Sequence, residues 1–135
     1  LGDVYKRQML FNITLSKLLN RKITMLHSYK KYVKYRIKTP LPSYRQFPCV
    51  TPNFDNASRR MHKGFTAFIG STPQLYGKWL SSVFEKFKPY SQEENFIFIN
   101  AWNEWAEGNH LEPDQKWGRK YLEETKKNID QYKKR

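Results

Sequence analysis

Residues 96–114 read FIFINAWNEWAEGNHLEPD, an apolar run that passes directly into carboxylates, tryptophans and side-chain amides. Phe96, Ile97, Phe98 and Ile99 do not alternate with polar residues, which predicts a short strand buried on both faces, as in a parallel sheet covered by helices. The polar residues that follow then form a loop at the C-terminal end of that strand. In α/β barrels and open sheets that end carries the binding and reacting groups. Residues 91–115 hold six of the twelve acids (Glu93, Glu94, Glu104, Glu107, Glu112, Asp114) and no Lys or Arg, in a chain of 135 residues with a formal net charge of +13. The acids are concentrated where the chain looks least like a surface.

Glu104 and Glu107 are three residues apart, so a helical turn would put them on one face with Cβ atoms roughly 5–6 Å apart. Two carboxylates that close do not both ionise easily, and the pair is expected to divide into one acid and one base. Glycoside chemistry uses such a pair: one group protonates the leaving oxygen while the other activates a nucleophile or supports the developing positive charge. Trp102, Trp105 and Trp117 offer flat apolar faces to sugar C–H groups, and Asn100, Asn103, Asn109 and His110 offer bonds to hydroxyls. The same features have plainer readings. Glu-x-x-Glu is common on solvated helices, and tryptophans in a small domain usually belong to the core or its wall. Glu107-Gly108-Asn109-His110 has the Glu-x-x-His spacing of di-iron bundles, but those need a second copy that this sequence lacks, so no metal and no cofactor is expected.

The run Ile99-Asn100-Ala101-Trp102-Asn103-Glu104-Trp105-Ala106-Glu107-Gly108, with Leu111-Glu112-Pro113-Asp114, Trp117-Gly118 and Tyr121-Leu122, resembles the C-terminal signature of the WbsX-type glycosyltransferases. That family is associated with bacterial surface polysaccharides (lipopolysaccharide O-antigen or capsule). It is similar to the family 99 glycoside hydrolases of endo-α-mannosidase type. Pro52-Asn53-Phe54-Asp55-Asn56, Arg59-Arg60 and Gly70-Ser71-Thr72-Pro73 resemble a second family feature, with Phe54 in the place of a tryptophan, and the resemblance spans roughly residues 46–125. It implies a (β/α)8 TIM-barrel-like fold and a carbohydrate substrate, either a nucleotide- or a lipid-linked sugar. By the same resemblance Glu104 is the base that helps the sugar's own 2-hydroxyl attack C1, and Glu107 is the acid. Asp55, Asn56 and Arg59 belong to the matching substrate-side motif, where a structural loop role is equally open for Asp55 and Asn56. Glu112 either contacts substrate or shapes the loop. Ala106 stands where the hydrolases carry histidine, which removes a polar contact to substrate, and transfer and hydrolysis both stay open.

Around this stretch, Thr72 reads as an N-cap with Pro73 at the first helical position. Leu75, Tyr76, Trp79, Leu80, Val83, Phe84 and Phe87 follow at helical spacing toward Lys88. Phe47 to Thr51 and Phe65 to Ile69 read as short strands, Trp117 to Tyr132 as a closing helix, and residues 9–36 as helix-rich. Strand, helix, strand, loop and helix in alternation indicate an α/β fold. Residues 1–8 read as a non-native leader, leaving 9–135 as part of one domain. A closed barrel takes about 250 residues, so the expectation is the C-terminal portion of an incomplete barrel, lacking its N-terminal half. Such a piece is expected to be unstable or inactive alone, with strand edges and apolar helix faces uncovered.

A net charge of +13 raises a rival, a basic module for nucleic acid or anionic membrane. No zinc spacing, helix-turn-helix signal or Gly-rich phosphate loop supports a nucleic-acid reader. A solvated basic surface is the simpler account. The lone Cys49 allows no internal disulfide framework, and no apolar stretch reaches the length of a membrane span. Asn12-Ile13-Thr14 and Asn56-Ala57-Ser58 match glycosylation acceptors, which matter only in a secreted eukaryotic protein. The expected location is the cytoplasm, with peripheral contact at the inner membrane face as an option.

Overall fold

The computed structural model describes residues 24–60 and 64–134, together with Leu10, Phe11, Thr14 and Leu18. The proposed leader and most of the helix-rich stretch before residue 24 lie outside the described residues. The four isolated positions have helical backbone. Strand β1 (Met25–Ser28) leads into helix α1 (Tyr29–Lys38), followed by β2 (Cys49–Val50), the short helix α2 (Ala57–Arg60), β3 (Thr66–Ile69) and α3 (Pro73–Lys86). Then come β4 (Phe98–Ile99), β5 (Asn103–Glu104), a 3₁₀ turn over Trp105–Glu107, β6 (Asn109–His110) and α4 (Lys120–Lys133).

The strands pair in twos. β1 runs parallel to β3 with Leu26 opposite Ala67, β2 runs parallel to β4 with Val50 opposite Ile99, and β5 pairs antiparallel with β6. The result is a mixed α/β architecture with small parallel sheets, and the described residues form no closed barrel.

Helices α1 and α3 open on capping side chains, whereas α4 begins at Lys120, three residues after the expected Trp117, with no side-chain cap. Ser28 accepts from the Lys31 N–H at 3.4 Å to open α1, and Thr72 accepts from the Leu75 N–H at 3.3 Å to open α3, with Pro73 following where its missing donor costs nothing. α3 ends at Lys86, two residues before the expected point, because the backbone turns extended at Phe87. It packs between α1 and α4. Its apolar stripe of Tyr76, Trp79, Leu80 and Val83 meets Tyr29 and Val33 of α1, Tyr121 of α4, Val50 of β2 and Leu111 to form the core. The Glu124 side chain of α4 lies against Gly77, where a Cβ would stand 3.3 Å from Glu124 Cβ.

Two expectations need correction. Leu26 to Ser28 is strand, not helix, because its backbone pairs with Thr66–Ile69, and Leu26 remains 57% exposed. The run Phe96–Ile99 is a strand only at Phe98–Ile99 and is not buried on both faces. Ile97 and Ile99 pack on the core, while Phe96 and Phe98 stay 50% and 55% exposed and meet the ring of Phe47 at 5.6 and 6.4 Å. A continuous apolar run therefore conceals an ordinary two-faced alternation, with an aromatic patch on the second face.

Candidate active site

Glu104 ends β5, and the chain turns through Trp105–Glu107 into Gly108, whose left-handed backbone (φ 56°, ψ 25°) returns it along β6. Gly108 is needed there twice: its positive φ suits glycine, and a Cβ would stand 3.2 Å from Asp55 Cβ. This tight hairpin puts both glutamates within reach of one cation. Arg59 Nη2 lies 2.9 Å from Glu104 Oε1, and Arg59 Nη1 lies 3.1 Å from Glu107 Oε1. A guanidinium carries several donors in a fixed planar fork, so one side chain serves both carboxylates.

Arg59 is delivered by α2, which is fastened to the same turn. The Asp55 N–H donates to the Glu107 carbonyl at 2.6 Å, Asp55 Oδ1 accepts from the Ala57 N–H at 2.9 Å, and the Ser58 hydroxyl donates to the Ala106 carbonyl at 2.7 Å. Asn56 secures the other side: its Oδ1 accepts from the Thr66 N–H at 2.9 Å and its own N–H donates to the Thr66 carbonyl at 3.2 Å. Asp55 Oδ1 and Asn56 Oδ1 thus build the platform for Arg59.

On the opposite side of the hairpin the ring of Trp105 stacks on His110, centroids 3.7 Å apart and 16° between planes, while its indole N–H donates to Glu112 Oε2 at 2.6 Å. His110 Nε2 sits 3.2 Å from Asp114 Oδ2. Glu112 shapes the loop through Trp105. A cleft of about 400 Å³ opens beside this stack, lined among others by Asn53, Ser71, Trp105, His110, Lys116 and Trp117. Tyr121 also borders it, its phenol pushed up by burial and so held neutral.

The remaining predicted contacts scatter. Trp102 and Asn103 are exposed, and the Trp102 carbonyl is occupied by the N–H groups of Leu111 and Glu112. Asn100 borders a different cavity, of about 600 Å³, between α1, α3 and the 39–48 loop. Asn109 is the clearest departure. Expected to bond sugar hydroxyls, it is fully buried with Thr51 Oγ1 2.8 Å from its Oδ1, because β6 turns that position inward. Sequence reading passed over Asn53 and Ser71 as site residues, although both fall in quoted motifs. Their positions just after β2 and β3 were the available signal. Among the described residues no cluster of three or more His, Cys, Asp or Glu is arranged to hold a metal ion, and no helix is long and apolar enough to cross a membrane.

The acid pair sits on the short antiparallel hairpin that follows parallel strand β4, in a mixed α/β fold of the kind whose strand-following loops carry binding groups. The family profile described as glycosyltransferase WbsX matches residues 3–125, and the chain belongs to that family. The match reaches well upstream of the 46–125 stretch whose motifs carry the resemblance. The uncharacterised protein WxcX of Xanthomonas campestris pv. campestris, in strains B100 and ATCC 33913, is 40% identical over 88 residues, covering 64% of this chain. The aligned part is 12% of each relative's length. No solved structure matches the chain significantly.

Proposed function

We propose that this chain supplies the catalytic loop of a carbohydrate-active enzyme in which Glu104 and Glu107 perform the proton transfers at a glycosidic carbon. Glu107 protonates the departing oxygen, and Glu104 draws the proton from the attacking hydroxyl. The observation that carries this reading is the shared Arg59, whose fork holds both carboxylates of one turn within reach of one substrate. Fixed geometry of this kind is what lets a pair act in concert on one substrate. The family supports transfer, which we read as transfer from a nucleotide- or lipid-linked sugar during assembly of a surface polysaccharide, in the cytoplasm or at the inner membrane face. The parallel pairing of β1 with β3 and of β2 with β4 supports a portion of a TIM-barrel-like domain. The hydrolase of endo-α-mannosidase type is the second reading, distinguished by whether water or a sugar hydroxyl takes the glycosyl group.

The test is Glu104→Gln and Glu107→Gln in the intact protein, scoring sugar release and sugar transfer separately. Each variant should lose about 10²–10⁴-fold in turnover, and near-normal turnover in either one removes that residue from the mechanism. Salt-sensitive binding to arbitrary DNA in a gel shift, with no response to glycans, would favour the basic module instead.

A further inference from the structure

Helix α1 differs from α3 and α4 in how its charge is balanced. It holds Lys30, Lys31, Lys34, Arg36 and Lys38 and no Asp or Glu. α4 also carries lysines, but Glu123, Glu124 and Asp130 are interleaved with them, and Lys126 and Lys127 pair with Asp130 and Glu124 of the same helix. Among the described residues no carboxylate pairs with any of the four lysines of α1.

Those four lysines share one side of the helix. At 3.6 residues per turn Lys30, Lys34, Lys38 and Lys31 fall within an arc of about 100°, and all four are exposed. Tyr29 and Val33, on the far side, are buried in the core. This arrangement works against the helix. Lysines four residues apart repel one another, and Lys30 and Lys31 stand in the first turn, where the helix dipole is already positive. A face that had only to meet water could interleave acids, as α4 does. The repulsion is relieved when negative charge lies opposite all four ammonium groups at once.

The surroundings supply none. Tyr35, 37% exposed, borders the lysines and lines the cavity of about 600 Å³ beside α1. Arg36 and Lys86 line that cavity too, and no Asp or Glu does. An ammonium is a point charge without the fork that fits one phosphate, and a helix face is convex. Both properties suit a diffuse negative plane better than a single anion or a groove, and tyrosine is a side chain that settles where lipid meets water.

We propose that the lysine face of α1 is a docking surface for an anionic phospholipid bilayer, with Tyr35 at the headgroup level. A cluster of four or more basic residues on one helix is the chemistry such membranes attract. The contact rests on the inner-face location proposed above, for which it names the residues, and not on the roles of Glu104 and Glu107.

The experiment is co-sedimentation of the intact protein with vesicles of phosphatidylglycerol and phosphatidylcholine in equal parts, against vesicles of phosphatidylcholine alone, at low and at physiological salt. The protein should sediment with the anionic vesicles only, and less at the higher salt. Each lysine near an anionic surface contributes about fivefold to partitioning, so Lys30→Glu with Lys34→Glu should weaken it by about 25-fold or more. Lys30→Arg with Lys34→Arg should bind as the parent does. Lys133→Glu with Lys134→Glu makes the same change in net charge at the end of α4 and should also bind as the parent does. Circular dichroism of each variant establishes that it is folded. The proposal is overturned if the parent does not bind anionic vesicles, if the α1 and α4 charge reversals weaken binding equally, or if the parent binds duplex DNA more tightly than vesicles through the same two lysines. Inactive glutamine variants of Glu104 and Glu107 beside a parent that ignores vesicles would sink the membrane contact alone. Vesicle binding with fully active glutamine variants would sink the carboxylate assignment alone.

Discussion

Replacing Arg59 with Leu removes a side chain that joins the two glutamates, and the structure sets the scale of the effect. Ion pairs at partly exposed sites contribute about 0.2–1 kcal/mol each. The Arg59 side chain is 51% exposed, with Glu104 at 40% and Glu107 at 28%, so both bonds belong within that range. Losing the two, and leaving two neighbouring carboxylates facing each other, should cost about 1–2 kcal/mol. For a domain of this size that lowers the melting temperature by roughly 3–7 °C. The gap between parent and variant should narrow in 1 M salt, where screening acts within about 3 Å.

Turnover should suffer more than stability, because a displaced reacting group can cost about 10²-fold on its own. Arg59→Lys should fall between the two, since an ammonium is a point charge that cannot fork to both glutamates. The assay is a thermal melt at low and high salt beside turnover, with the cycle Arg59→Leu, Glu104→Gln and the double variant read for coupling. A variant that melts within 1 °C of the parent, shows no salt difference and turns over within about threefold would refute the claim that Arg59 organises the pair.

Two further outcomes follow from single positions. Gly108→Ala places a side chain in the left-handed region at φ 56° and 3.2 Å from Asp55 Cβ, so it should lose about 1–2 kcal/mol and reduce turnover as the Asp55–Glu107 bond opens; a melt unchanged from the parent would contradict that backbone. Tyr76 is buried in the core with its phenol pushed up to about 12, mainly by burial, while tyrosines of the unfolded chain titrate near 10. The folded state therefore keeps its proton longer. Its stabilisation is complete below about pH 10 and should fall by roughly 2–3 kcal/mol as the pH rises to 12. Tyr76→Phe should flatten that fall in pH-dependent melts, and an identical alkaline slope would count against it.

Local rules made the helices legible. Thr72 with Pro73, and the recurring Tyr76, Trp79, Leu80 and Val83, use interactions within a few residues, so their reading needs no tertiary knowledge. Where pairing across the chain decides, sequence reading fell short. Leu26 lies in a strand because Ala67 stands opposite it, and Phe98 is exposed because Ile97 and Ile99 take the core side of the strand, a choice that nothing in the run Phe96–Ile99 reveals. At the site the spacing of Glu104 and Glu107 gave the shared face, and the Arg59 motif gave a cation. The burial of Asn109 and the placing of Asn53 in the cleft wall depend on how β6 and the β2 loop face one another. Motif strings carry no such orientation.

The same distinction explains how the acid-rich loop is held. Residues 91–115 contain no Lys or Arg, so the Lys or Arg side chains that steady their carboxylates come from elsewhere in the chain. Arg59 reaches back from Glu104 and Glu107 across 45 and 48 residues, and Arg45 pairs with Glu94 across 49. Backbone bonds reinforce the first of these links, through Asp55 to Glu107 and Ser58 to Ala106. The hairpin has only a two-residue antiparallel ladder of its own, too short to be stable in isolation. Its order is therefore set from outside, by α2, which Asn56 fastens to Thr66 at the start of β3, and by Thr51, which meets the buried Asn109. The carboxylate pair acquires its geometry only when β3, α2 and the hairpin have come together, which ties the formation of the candidate site to the tertiary fold and not to the local sequence that spells it.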